Sequence, residues 1–395
     1  MRNILTEESK LYLSKLWPLF ALVIVLPLVS YFVWLVFPEK NLEIVVLDKT
    51  VPSATYQEHQ SIFWTIEHLK FSGEAGEYKS ADRDYFGFHP DDSDSHGRVW
   101  DFSNWSEGDI QKKAKELDVL YLADTYGVYS EDFNSENSQG ISEKIYGGLD
   151  RSDISLIRES IAQKKTIIAE FNTMASPTRP GIRAEFENLM GLKWTGWIAR
   201  YFDEMDTTVN QDLPNWLVQQ YVDQHENTWV PNGPGLVFVH ENGQVEVFSN
   251  SIDYEGETPM IRTQQFNQHG FKLPELVPYP DWFDIILIER EYQVISYYDI
   301  SPTTLGQQKL RDMGLPRFFP AAVVRDLGEG QHYYFAGDFA DLRNSAGSAR
   351  FMGLPVFWRG FYLVTDYTDR RSFFWNYYYP LLSQVLERAY QAKDH

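Results

Sequence analysis

The chain is 395 residues long, carries a formal net charge of −21 at pH 7, is 16% aromatic and contains no cysteine. The missing cysteine excludes disulfides, thiolate catalysis and cysteine-ligated metals, and the acidic balance excludes nucleic acid as a partner. A chain of this length buries a sizeable core without covalent staples.

In chain order, residues 1–16 form a short polar lead. Residues 17–37, WPLFALVIVLPLVSYFVWLVF, hold no charged side chain, and a run of about 20 apolar residues is what a helix needs to cross a bilayer core. This predicts a single transmembrane anchor with the lipid bilayer as its partner. Pro18 sits near the helix start, where a missing N–H costs little, and Pro27 introduces a mid-span kink of the kind membrane helices tolerate. Trp17 and Trp34 lie towards the two ends, where amphipathic rings favour the interface. The run exceeds the apolar region of a cleaved signal peptide, and no small-x-small site follows it. Arg2, Lys10 and Lys15 precede the span and Lys40 follows it, so the positive-inside bias places the N-terminus in the cytoplasm and the remainder outside. Residues 1–40 hold four cations and three anions, which leaves the remainder at −22.

Residues 41–395 read as a single extracytoplasmic α/β domain, with core βα units over 41–192 and an elaborated half over 193–395. A β-branched strand over 42–47 ends at Asp48. A helix over 56–69 places Ile62, Phe63, Ile66 and Leu69 on one face. Residues 72–104, rich in Asp and Gly, read as a long polar excursion. A helix at about 107–116 leads to a second strand over 119–123, ending at Asp124, and 127–147 is a polar loop. A helix over 150–163 and a third strand over 166–169 run into Glu170. A further helix spans 182–190, with Gly191 as its C-cap. Strands that are continuous apolar runs predict a buried, mainly parallel, doubly wound (flavodoxin-like) sheet. The second half predicts a hairpin over 235–240 and 245–248 turned at Asn242-Gly243, strands over 283–288, 292–298, 318–324 and 332–336, and helices over 304–313 and 375–392.

Ligands bind beyond the carboxyl ends of parallel strands. Three such ends carry polar residues: Asp48-Lys49-Thr50, Asp124-Thr125-Tyr126 and Glu170-Phe171-Asn172-Thr173. These are predicted to converge. Asp48 and Asp124 suit orienting a substrate or a metal, and Glu170 suits general acid–base work or acceptance from a sugar hydroxyl. Lys49 and Arg179 suit an anion. Trp194, Trp197 and Tyr201 suit a pocket rim, or else packing of the second half. Gly337 permits close backbone approach, and Asp338 and Asp341 are placed on the same edge as Asp48. Ser176 and Thr173 are the hydroxyls near the third strand end, with His59, His68 and His89 as the histidines to pair with them. Residues 92–97 imitate a calcium loop, but its twelfth position is Ser103 rather than Glu, which leaves an irregular set of Asp91, Asp92, Asp94 and Asp101. No HExxH, GxSxG or Walker sequence occurs, no cofactor is indicated, and Asn104-Trp105-Ser106 matches a glycosylation sequon.

Residues 148–172, Gly-Leu-Asp-Arg through Lys-Thr-Ile-Ile-Ala-Glu-Phe-Asn, resemble the helix, basic turn and strand that lead to the nucleophile elbow of class I glutamine amidotransferase-like domains. Residues 118–127 resemble the preceding strand and its glycine turn, and 332–341 the final strand. The resemblance covers residues 42–192 and implies a membrane-anchored bacterial relative of that superfamily. The departure is chemical. The elbow falls at Glu170 or Phe171, and Ala169 and Thr173 replace its glycines, so glutamine hydrolysis through a thioester is excluded. Superfamily members outside the amidotransferases include domains of carbohydrate metabolism. Three readings follow: a domain that binds or modifies a cell-envelope glycan, a non-catalytic scaffold subunit of a membrane complex, and a metal-assisted hydrolase using Asp48, Asp124 and Glu170.

Overall fold

The computed structural model describes residues 7–73, 76–91, 97–133, 142–210, 212–225, 229, 231–256, 258–265, 267, 269–328 and 330–393. Helix α1, Glu7–Val36, contains a stretch, Lys15–Val36, long and apolar enough to cross a membrane. Its end is docked on the rest of the chain. Trp34 is buried, and its Nε1 donates to the His68 carbonyl at 3.2 Å. Lys70 Nζ donates to the carbonyls of Leu35 and Phe37 at 3.2 and 2.6 Å. Those carbonyls belong to the helix end, where no intrahelical partner exists and a cation is favoured.

Five parallel strands form the middle of a ten-stranded sheet: β1, Ile44–Asp48; β2, Tyr85–Pro90; β3, Val119–Leu122; β4, Thr166–Glu170; and β5, Gln331–Phe335. Their spatial order is β5-β4-β3-β1-β2. Every residue of β1, β3 and β4 is buried, as expected when both sheet faces are covered. Gly97–Trp100 extends the sheet beyond β2, and Phe319–Asp326, Tyr292–Asp299, Met260–Thr263 and Leu276–Pro278 extend it beyond β5, all antiparallel. The sheet is therefore mixed rather than mainly parallel. Connection length gives one reason: the strand ending at Asp326 is followed by one starting at Gln331, which is far too short for a parallel crossover. A second, antiparallel sheet pairs Leu192–Phe202 with Gly235–His240 and Phe283–Ile288, and Gly235–His240 with Val245–Ser249. It holds a small core of its own around Phe202, Leu217, Val237 and Val245.

The helices that flank the parallel block begin and end where side chains supply caps. In α3, Glu107–Glu116, Ser106 and Asp109 form a reciprocal capping box, and in α4, Arg151–Ala162, Asp150 and Asp153 do the same. Helix α5, Pro180–Met190, opens on proline and closes at Gly191 with φ 71°. α3 packs on α4 and α4 on α5, while α2, Gln60–His68, packs against the C-terminal helix Tyr379–Lys393. That helix is entered through a π-helical turn, Phe374–Tyr378. Two expectations are corrected. The region 72–104 is not all loop, since it holds β2 and Gly97–Trp100. Helix α2 starts at Gln60 rather than Tyr56, because Tyr56 adopts φ 50°.

Candidate functional site

β1 delivers Asp48 to the carboxyl end of the sheet, fully buried. Its Oδ1 accepts from the Thr50 amide at 2.8 Å, and its Oδ2 lies 2.6 Å from His59 Nδ1. His59 Nε2 lies 2.8 Å from the Ala81 carbonyl. A carbonyl only accepts, so Nε2 is the donor there, and Nδ1 faces the Asp48 carboxyl. From β3, Asp124 Oδ1 accepts from Thr50 Oγ1 at 2.7 Å and the Tyr126 amide at 2.6 Å, and Oδ2 accepts from Asn172 Nδ2 at 3.1 Å. Burial, then the neighbouring Asp48, pushes the Asp124 carboxyl up to about 7. Asn172 adopts φ 65°, a conformation Asn tolerates, and its carbonyl accepts from Thr125 Oγ1 at 3.1 Å. The first and second strand ends and Asn172 are thus joined in one network.

Glu170 does not join it. Its carboxyl accepts from the Tyr121 hydroxyl on one oxygen and from the Phe339 and Ala340 amides, at 3.1 and 3.0 Å, on the other. Tyr121 also contacts the Tyr378 hydroxyl at 2.7 Å. Burial pushes Glu170 up to about 8 despite these donors. The side chain fastens the turn after β5 to β4. Thr173 Oγ1 donates back to the Glu170 carbonyl at 2.5 Å, so the hydroxyl nearest the elbow is spent on the turn itself. His59 is held as described, His68 Nδ1 lies 2.7 Å from the Ala349 carbonyl, and His89 Nε2 lies 3.2 Å from the Tyr85 carbonyl. None of these contacts joins a histidine to Thr173 or to the exposed Ser176. Asp48 and Asp124 share Thr50 as a partner while Glu170 is held elsewhere, and among the described residues no three acidic or histidine side chains are grouped to hold a metal ion.

Beside Asp48 and Asp124 the structure brings Asp338 and Asp341, expected on the same edge as Asp48, and adds Glu58, which the sequence reading did not single out. Glu58 lies in the turn before α2. The strand-end segment carrying Asp338 and Asp341 is tied to that turn, with the Leu342 amide donating to the Gln57 carbonyl at 2.8 Å and Ser61 Oγ to the Ala340 carbonyl. Burial first, then Asp48, pushes Glu58 up to about 9. Asp338 lies well above, and Asp341 above, the usual carboxylate range, chiefly through burial, and Asp341 also raises Asp338. Glu58 Oε2 and Asp341 Oδ1 are buried without a hydrogen-bond partner in the protein. Arg370 closes one side, with Nε donating to the Asp341 carbonyl at 3.1 Å and Nη1 to Asp281 at 2.6 Å. Tyr126, two residues beyond Asp124, is exposed, with its ring 4.9 Å from that of Tyr129. Glu58 carried no sequence signal, because nothing in its neighbourhood marks a lone Glu in a turn.

A separate cleft of about 860 Å³ lies over the N-terminal ends of α4 and α5 and is lined by Lys49, Lys144, Tyr146, Asp150 and Arg179 among others. It brings Lys49 and Arg179 together, as the anion reading required, but Lys49 is already engaged. Its Nζ lies 2.6 Å from Asp153, 3.1 Å from Asp150 and 3.2 Å from the Gly148 carbonyl. Burial works against its charge, yet Asp153 and Asp150 outweigh burial and raise its pKa.

Trp194 and Trp197 do not form a rim. Both are buried in the second sheet, where Trp194 Nε1 donates to the Trp197 carbonyl at 2.9 Å and Trp197 packs 4.9 Å from the His240 ring. Asp92 and Asp94 lie outside the described residues. Asp101 is occupied by Ser103 and Tyr146.

No family model matches the chain, and no curated protein matches it. Among solved structures it is similar to one described as a ThuA-like protein from Bacteroides uniformis, with TM-score 0.34 and 9% identity over 85% of this chain and 96% of the other. It is also similar to the carbohydrate deacetylase Agd3, with TM-score 0.26 and 9% identity over 76% of this chain. The chain spans only 30% of Agd3.

Proposed function

We propose that the chain is a single-pass membrane protein whose extracytoplasmic domain binds a cell-envelope glycan at the carboxylate recess formed by Asp48, Glu58, Asp124, Asp338 and Asp341. One observation carries this reading: Glu58 Oε2 and Asp341 Oδ1 are buried acceptors without a partner in the protein, in a cluster where the Glu58, Asp124, Asp338 and Asp341 carboxyls are pushed towards neutrality. A neutral carboxyl donates and accepts, as a sugar hydroxyl does, so the two are matched in kind. Leaving such acceptors unfilled costs about 1–3 kcal/mol each, and a polyhydroxylated ligand removes that cost. Tyr126, two residues beyond Asp124, offers an exposed ring face. The role is binding, since the elbow residues Glu170 and Thr173 are consumed by internal hydrogen bonds.

The test is calorimetric titration of the detergent-solubilised full chain with neutral and acidic oligosaccharides. Neutral sugars are expected to bind, and Glu58→Ala and Asp341→Asn to weaken that binding about tenfold each, the equivalent of one hydrogen bond. Binding that is unaltered in both variants, or no heat with any sugar, would refute the proposal.

A further inference from the structure

Residues 351–364 pack part of their apolar side chains on the core, through Leu354, Trp358, Tyr362 and Val364, and leave the rest bare. Helix Leu354–Phe361 buries Pro355 and packs the Trp358 ring 6.3 Å from Trp375. Its opposite face is bare: Val356 is 72%, Phe357 56% and Phe361 70% exposed, and Leu363 just beyond the helix is 69% exposed. At 100° per residue, Val356, Phe357 and Phe361 fall on one side, with Gly360 between them. Outside α1, large exposed side chains such as Val209 and Ile252 are mostly scattered singly, whereas these four are contiguous.

Their position selects an occupant. The segment is fastened to α1: the Met352 amide donates to the Ser30 carbonyl at 3.3 Å, Ser30 Oγ donates to the Met352 carbonyl at 2.6 Å, and the Phe351 ring lies 6.0 Å from Tyr31. Ser30 lies seven residues before Phe37, the end of the apolar run, which is about 10 Å along a helix. An amphipathic helix lying in a membrane interface buries its apolar face about 5–10 Å into the headgroup and acyl boundary. The same depth of α1 presents Phe32, Val33, Leu35 and Val36 as exposed apolar side chains, so the bare face continues the surface of the span. Arg359 is exposed at the margin of that face, where its stem can lie along apolar surface while its charge reaches headgroups.

We propose that helix Leu354–Phe361 and Leu363 lie in the outer interface of the bilayer, as a second membrane contact beside the span. This rests on α1 crossing the membrane, as in the function proposed above. Because the chain has no cysteine, single labels test it directly. Val356→Cys, Phe361→Cys, Val23→Cys on α1 and Val209→Cys on the domain would each be labelled with a fluorophore in the full chain. The chain would then be reconstituted in phosphatidylcholine nanodiscs and exposed to lipid-borne and to aqueous quenchers. The expected result is several-fold stronger lipid quenching at 356 and 361 than at 209, and weaker aqueous quenching. If 356 and 361 behave like 209 while 23 is lipid-quenched, the anchor stands and this inference is overturned. If 356 and 361 are shielded from both quenchers, a protein surface covers the face and the inference is equally overturned. If 23 is not lipid-quenched either, the anchor fails and this inference fails with it.

Discussion

Glu170 ends β4, where the sequence reading expected an elbow, yet its oxygens bind Tyr121 and the amides of Phe339 and Ala340. Its folded pKa of about 8 exceeds the ordinary 4.5. Between those values the folded chain holds a proton that the unfolded chain has released, so rising pH removes stability across that window. Glu170→Gln cannot titrate, and its amide oxygen still accepts from both backbone N–H groups. In urea unfolding it should match the parent within about 1 kcal/mol at pH 4.5 and below, and become the more stable of the two as pH rises from 4.5 through about 8. A variant that loses more stability than the parent as pH rises would contradict this. Only part of this was legible in the sequence. Asp48, Asp124 and Glu170 could be placed at strand ends because each follows an apolar run. Which way each carboxyl turns depends on residues far away in the chain, such as Tyr378, and no local pattern encodes that. Trp194 and Trp197 show the same limit, since a ring-rich stretch looks alike whether it lines a rim or fills a core.

Elements were legible where burial is symmetrical. β1, β3 and β4 are unbroken apolar runs, and α3 and α4 announce themselves through Ser106 and Asp150. β2 was missed because YFGFHP contains a glycine and a proline and sits among Asp and Gly. Leu192–Phe202 shows no clean strand alternation because its register shifts between Trp194 and Ile198, around Gly196 with φ 87°, and such a bulge breaks alternation. Glycine has a sharper role where the loop after β3 meets the segment before α4. A Cβ on Gly127, at φ 102°, would stand 2.1 Å from the Tyr146 carbonyl oxygen, and one on Gly147 would stand 2.4 Å from Gly127 Cα. Gly127→Ala should therefore cost more than the ~1–3 kcal/mol of backbone strain alone and lower the urea midpoint. An unchanged midpoint would show that the two loops part without cost.

At the scale of the whole molecule, buried carboxyls set the pH response. Glu58 at about 9, Asp124 and Asp284 at about 7 and Asp153 at about 6 all stand above their ordinary values, chiefly through burial. Each favours the folded state at low pH and loses that contribution as pH rises towards its folded value. His68, His89 and His332 are lowered by burial and act in the opposite direction, but only below the ordinary histidine value of 6.5. Above pH 6.5 the histidines no longer change and the carboxyls still lose their contribution, so the thermal midpoint of the full chain should fall steadily from pH 6.5 to pH 9, and a rise over that interval would contradict the assignment. The mixed sheet was the least legible feature at this scale, because strand direction in the second half follows from connection lengths rather than from strand composition. The joint between α1 and the domain has a mechanical consequence. Lys70 and Trp34 grip the helix end, and Lys40–Asn41 pairs at once with Phe71–Ser72, so there is no slack between them. Helix α2, about 13 Å long at 1.5 Å per residue, spans from this joint to the recess. In a bilayer the recess would thus ride at a fixed height and tilt, like an instrument on a rigid mast. It would sample a thin layer parallel to the membrane rather than a hemisphere above it, and a polymer strand would have to pass within that layer to be caught.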